Sequence, residues 1–143
     1  MQSTVNIPLA AGALLSAGAA LLHLGIVAGG PAWYRFFGAG ERFARAAAQG
    51  RWYPTLVTLG IAAVLFTWSA YALAGAGVIG PLPFLKAALV AITAVYLVRG
   101  VAFAPLVRAR GGAITPFVVW SSVICLGYGV VHLVGLVQRW AAL

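Results

Sequence analysis

A chain of 143 residues that is 64% hydrophobic and 7% charged has nowhere to put a water-facing surface, because soluble domains carry charge on about a quarter of their residues. One acid, Glu41, stands against nine Lys and Arg, for a formal charge of +8. The basic residues flank apolar runs and form no solvated stripe with stacking aromatics, which argues against nucleic acid and for anionic lipid headgroups as partners. Two histidines, one cysteine and one carboxylate do not supply paired carboxylates, a metal cage or most nucleophile–base pairs. The expectation is therefore no catalytic residue, no metal and no cofactor, and the reading leans away from an enzyme.

The first apolar run, 8–30, opens at Pro8 and ends at Gly30-Pro31. It has no preceding Lys or Arg and is longer than a signal-peptide core, so it is expected to be a retained helix. It carries His23, and its small residues Gly12, Ser16 and Ala20 recur at helical spacing, which lets helix backbones approach closely in lipid. The connection that follows, 31–51, interleaves Trp33, Tyr34, Phe36, Phe37 and Phe43 with Arg35, Arg42 and Arg45. That mixture predicts an interfacial amphipathic helix broken at Gly38-Ala39-Gly40.

The second run, 53–75, holds Thr55, Thr58 and Tyr71, and the third, 82–104, holds Lys86 and Arg99 before Ala104-Pro105 ends it. The fourth, 115–137, begins at Thr115-Pro116 and carries Ser121, Ser122, the lone Cys125, Gly129 and His132. Each run exceeds the roughly 20 residues needed to cross about 30 Å of hydrocarbon. Lipid offers no hydrogen-bond partner to the backbone, so each run must close its bonds as a helix. Short second and third connections make neighbours antiparallel. The prediction is an all-α integral membrane four-helix bundle, up-down-up-down, forming a single transmembrane domain over 1–143.

Arg35, Arg42, Arg45 and Arg51 lie in the first connection and Arg108 and Arg110 in the third, with no Lys or Arg in the second. Positive-inside counting then places both termini on the non-cytoplasmic side, with a bacterial inner membrane as the expected location.

Arg99 interrupts the third run one to two turns before its predicted end, on the cytoplasmic side of the midplane, where a charge costs less than at the centre and either snorkels to lipid phosphate or faces inward to an anion or lipid. His23 falls at a comparable depth. Arg99, His23, Ser121, Ser122, Thr55, Thr58 and Glu41 are expected to converge on one cytoplasm-facing polar pocket, with Glu41 as counter-charge. Against this, Glu41 precedes Arg45 by four residues, the spacing of an ordinary helical ion pair. A second polar cluster of His132, Tyr71 and Lys86 is expected towards the opposite face. Two histidines near opposite ends of their spans do not make a bis-histidine haem site. The functional expectation is a small four-span protein that binds or moves a hydrophobic, amphiphilic or anionic ligand, a transporter or a lipid-interacting protein. The alternative is a non-catalytic accessory subunit that docks, or self-associates, through its small-residue stripes.

Overall fold

A computed structural model describes residues 5–143. Five helices follow one another: α1, Ile7–Phe36; α2, Glu41–Ala48; α3, Tyr53–Ala76; α4, Leu85–Ala109; and α5, Pro116–Arg139. Among the described residues there is no strand. All but α2 are long and apolar enough to cross a membrane, so this is an all-α integral membrane protein.

One helix outruns its predicted end, α4 continuing through Pro105 to Ala109, whereas α1 breaks at Gly30, where the first run was expected to end, and a further helical stretch follows from Pro31 to Phe36. Transmembrane helices tolerate proline because neighbouring groups re-satisfy the freed carbonyl. The two prolines act differently. In α1 the preceding Gly30 adopts φ 64° and ψ −150°, a conformation that suits glycine and bends the axis. In α4 no residue leaves the helical region, so Pro105 is accommodated in line.

The described residues divide into two compact units. The first contains the start of α1 up to Ser16 and everything from Trp68 onward, which is the end of α3 with all of α4 and α5. The second is Ala17–Thr67, the rest of α1 with α2 and most of α3.

In the first unit, contacts step up one helix as they step down the next. Leu97 meets Gly129 and Gly100 meets Leu126, so α4 and α5 are antiparallel. Leu9 meets Gly135 and Gly12 meets His132, which makes α1 and α5 antiparallel as well. Ala13 meets Ser69 and Asn6 meets Ala76, giving the same relation between α1 and α3. Ser16 reaches Tyr96 on α4, the diagonal neighbour. The first unit thus has the up-down-up-down order that short connections favour.

Glycine sets the spacing. A Cβ at Gly100 would lie 2.7 Å from the Leu126 amide nitrogen, and one at Gly129 would lie 2.9 Å from that of Leu97. Backbones that close gain dispersion contacts, which lipid does not supply between helices through a hydrophobic drive. At the opposite end from Arg108, Asn6 ties three helices: its amide Oδ1 accepts from Leu9 N–H, its Nδ2 donates to Gln138, and its backbone N–H donates to the Ala76 carbonyl.

In the second unit the amphipathic α2 folds back on the end of α1. Ala44 is buried with Ile26 and Tyr34, and Phe37, Phe43 and Ala47 close around them. Phe43 also meets Tyr53 edge-on at 5.3 Å between ring centroids. The break between α1 and α2 falls at Gly38 and Gly40, both at positive φ, as the Gly-Ala-Gly sequence predicts.

Candidate functional site

Arg99 projects from the middle of α4. With the helix ending at Ala109, ten residues follow it, a distance of about 15 Å along the axis at 1.5 Å per residue. Along the helix the charge sits near the midpoint between Lys86 and Arg108, far from either end, because Pro105 does not stop the helix.

The surroundings of Arg99 are sparse in acceptors. Its guanidinium carbon lies 3.5 Å from the Phe103 ring centroid, a cation–π contact one turn along the helix. Nη2 donates to Ser121 Oγ at a long 3.5 Å, while Ser121 itself donates to the Val118 carbonyl. Nη1 is buried without a hydrogen-bond partner among the described residues. The unit that contains Arg99 has no Asp or Glu at all. The neighbouring Ser122, 8% exposed, likewise has a hydroxyl without a partner among the described residues.

The remaining residues of the expected pocket belong to the second unit, where each has a partner or place of its own. Glu41 bonds Arg35 through both oxygens, at 3.1 and 3.3 Å, and lies 3.7 Å from Arg45. The hydrogen bond from Arg35 holds its carboxyl below the usual carboxylate range. Thr58 is buried, donates to the Pro54 carbonyl at 2.8 Å and lies 3.2 Å from the Tyr34 hydroxyl. His23 is half-buried and its Nδ1 bonds the Ala19 carbonyl at 2.7 Å, so that nitrogen carries the proton. Thr55 lines a cleft with Arg51, described below.

The second expected cluster resolves into separate pairings. Tyr71 donates to the Pro83 carbonyl at 3.2 Å, and the Lys86 ammonium lies 4.3 Å over the Trp140 ring. His132 is fully buried. Its Nδ1–H donates to the Tyr128 carbonyl at 2.8 Å, leaving Nε2 without a partner among the described residues. The ring lies against Gly12, where a Cβ would come within 2.7 Å of Cε1, and 5.2 Å from the Tyr96 ring.

Around His132 lies a buried polar layer that sequence reasoning missed. Ser16 and Tyr96 share a 2.9 Å hydroxyl pair, Ser69 donates to the Ala13 carbonyl across two helices, and Thr93 donates to its own Leu89 carbonyl. Trp68 and Tyr128 meet Tyr96 edge-on at 5.0 and 5.5 Å. The small-residue stripe through Gly12 and Ser16 was the available signal. Its pairing with tyrosines on other helices has no local signature.

The second unit also contains an open cleft of about 430 Å³, where the bend in α1 faces the start of α3. Val27, Gly30 and Pro31 line one side and Arg51, Trp52 and Thr55 the other. Arg51 and Trp52 are exposed. No group of three or more His, Cys, Asp or Glu able to hold a metal ion occurs among the described residues. The chain matches no protein-family model, no curated protein and no solved structure.

Proposed function

We propose that this protein binds an anionic amphiphile within the bilayer, with Arg99 as the contact for the negative group and Ser121 and Ser122 as hydrogen-bond partners. The observation behind this reading is the buried Nη1 of a guanidinium, without a partner among the described residues and about 15 Å from its helix end, in a unit without Asp or Glu. A charge at the bilayer centre costs about 2.5 to 3.5 kcal/mol on insertion scales, so its retention there favours a functional role. Glu41, committed to Arg35 and Arg45, is not needed as the counter-ion. The orientation proposed with it puts both termini on the non-cytoplasmic side of a bacterial inner membrane, because the arginines of the first and third connections are cytoplasmic anchors.

The test separates binding from stability. Arg99→Leu should leave the protein folded and as stable or more so, while retention of co-purifying anionic lipid or fatty acid falls by roughly tenfold, the effect of about one charge-assisted hydrogen bond. Equal retention by the variant and the wild type would sink the reading. An obligate protein partner at fixed stoichiometry after purification in mild detergent would favour an accessory subunit instead.

A further inference from the structure

The cleft at the bend of α1 has two chemical halves. On one side the helix breaks at Gly30 and Pro31 has no N–H, so the Val27 carbonyl, one turn back, has no regular helical donor. A carbonyl deprived of its helical donor takes another from a headgroup or from water. On the other side stand the Arg51 guanidinium, the Trp52 ring and the Thr55 hydroxyl at the start of α3. Arg51 has no ion-pair partner among the described residues, whereas Arg35 and Arg45 share Glu41. Leu56 and Leu59 continue the wall of the cleft along α3, and both are exposed apolar side chains.

An occupant that answers all three features carries a phosphate for Arg51, a hydrogen-bond donor for the bend, and hydrocarbon for the leucines. Water satisfies only the second. Trp52 and Arg51 precede the apolar span of α3, and Trp and Arg at such positions sit at headgroup depth. We infer that this cleft is a headgroup site for a glycerophospholipid with N–H donors beside its phosphate, phosphatidylethanolamine being the simplest. The phosphate faces Arg51, the ammonium faces the Val27 carbonyl, and the acyl chains run along Leu56 and Leu59. Thr55 supplies a second polar contact to the phosphate.

The discriminating probe is phosphatidylcholine, which has the same phosphate and chains but no N–H donor. In native mass spectrometry of the full-length detergent-purified protein, phosphatidylethanolamine should bind roughly five- to tenfold more tightly than phosphatidylcholine, the weight of about one hydrogen bond to a charged group. Arg51→Gln should weaken both lipids together. The double substitution Gly30→Ala with Pro31→Ala, which lets the helix continue and gives the Val27 carbonyl a donor, should bring the two lipids to equal affinity, with undiminished helical circular dichroism reporting that the variant is folded. Arg99→Leu should leave the preference intact, so this site stands or falls apart from the one around Arg99. Equal binding of the two lipids to the wild type, or undiminished binding of both lipids by Arg51→Gln, would overturn the inference. Displacement of bound phosphatidylethanolamine by millimolar inorganic phosphate would also overturn it, by showing a free-phosphate site.

Discussion

In the first unit buried polar side chains pair across several helices, whereas in the second one buried pair, Tyr34 with Thr58, does so and the remaining polar groups bond their own backbone, pair at the surface or turn outward. Ser16 meets Tyr96 and Asn6 meets Gln138 in one; in the other, Thr58 and His23 bond carbonyls one turn back and Arg51 is exposed. The difference follows from where small residues lie. Gly12, Gly100 and Gly129 bring helices of the first unit close enough for short polar side chains to touch. In the second unit Gly25 and Gly29 are covered by Trp33 of the same helix, turned back on them past the bend. Glycine is a spacer between helices in one unit and a seat for an aromatic ring in the other.

The comparison breaks most sharply at Gly129. Substitution by Leu puts a side chain where even a Cβ would lie 2.7 Å from Leu97 Cδ2 and 2.9 Å from its backbone nitrogen. Overpacking of this kind costs about 1 to 3 kcal/mol, with a backbone contact at the upper end. A denaturant titration in detergent micelles should show it. The corresponding change at Gly127, which has nothing within 4 Å, should be close to neutral. If both substitutions behave alike, glycine is not spacing α4 and α5.

Next in size is Gly12→Ala, whose Cβ would press on the His132 ring. A loss of about 1 to 2 kcal/mol is expected. The double substitution with His132→Ala should lose less than the two single changes added together, because each relieves the other. Strict additivity would show that the ring and the glycine do not constrain each other.

Smaller still is Ser16→Ala, which removes the partner of the Tyr96 hydroxyl. Hydrogen bonds between membrane helices average about 0.6 kcal/mol, and a shift of that order in the same titration is expected. Tyr34→Phe in the second unit removes the hydroxyl 3.2 Å from Thr58 Oγ1. Since Thr58 still bonds Pro54, the effect should be smaller than that of Ser16→Ala. The reverse order would contradict the contrast drawn between the units.

The least effect belongs to Glu41. Arg35 depresses its pKa in the folded state, so the pairing favours folding above the unfolded carboxylate value of about 4.3 and is lost as pH falls through the lower folded value. The pair is exposed and screened by salt. Acidification from pH 6 towards pH 3 should loosen α2, seen as faster amide exchange over 41–48, without moving the midpoint of global unfolding. Glu41→Gln should remove that pH dependence.

The four spans, the Gly-Ala-Gly break before α2 and the caps at Thr115-Pro116 were legible because each is a local property. Apolar length forces a helix in lipid, and proline at the first turn loses no hydrogen bond there. α4 runs past its expected end because proline in water stops a helix more reliably than proline in a bilayer. The expected polar pocket was only partly legible. Position along a helix can be counted, and Arg99 and Ser121 do lie within 3.5 Å of each other. The direction in which a side chain turns cannot be counted that way, and Glu41, Thr58 and His23 each found a nearer partner in the chain.

Composition and hydrophobic run length were sufficient to make this a helical membrane protein with arginines gathered at the connections, since transfer into hydrocarbon depends on residue type and number alone. Folding in three dimensions was required for the rest: the Ser16–Tyr96 pair, the buried ring of His132 against Gly12, the stranded guanidinium of Arg99 and the cleft beside Pro31. Those depend on how closely two helix backbones approach and at what rotation, quantities fixed by contacts between residues far apart in the chain.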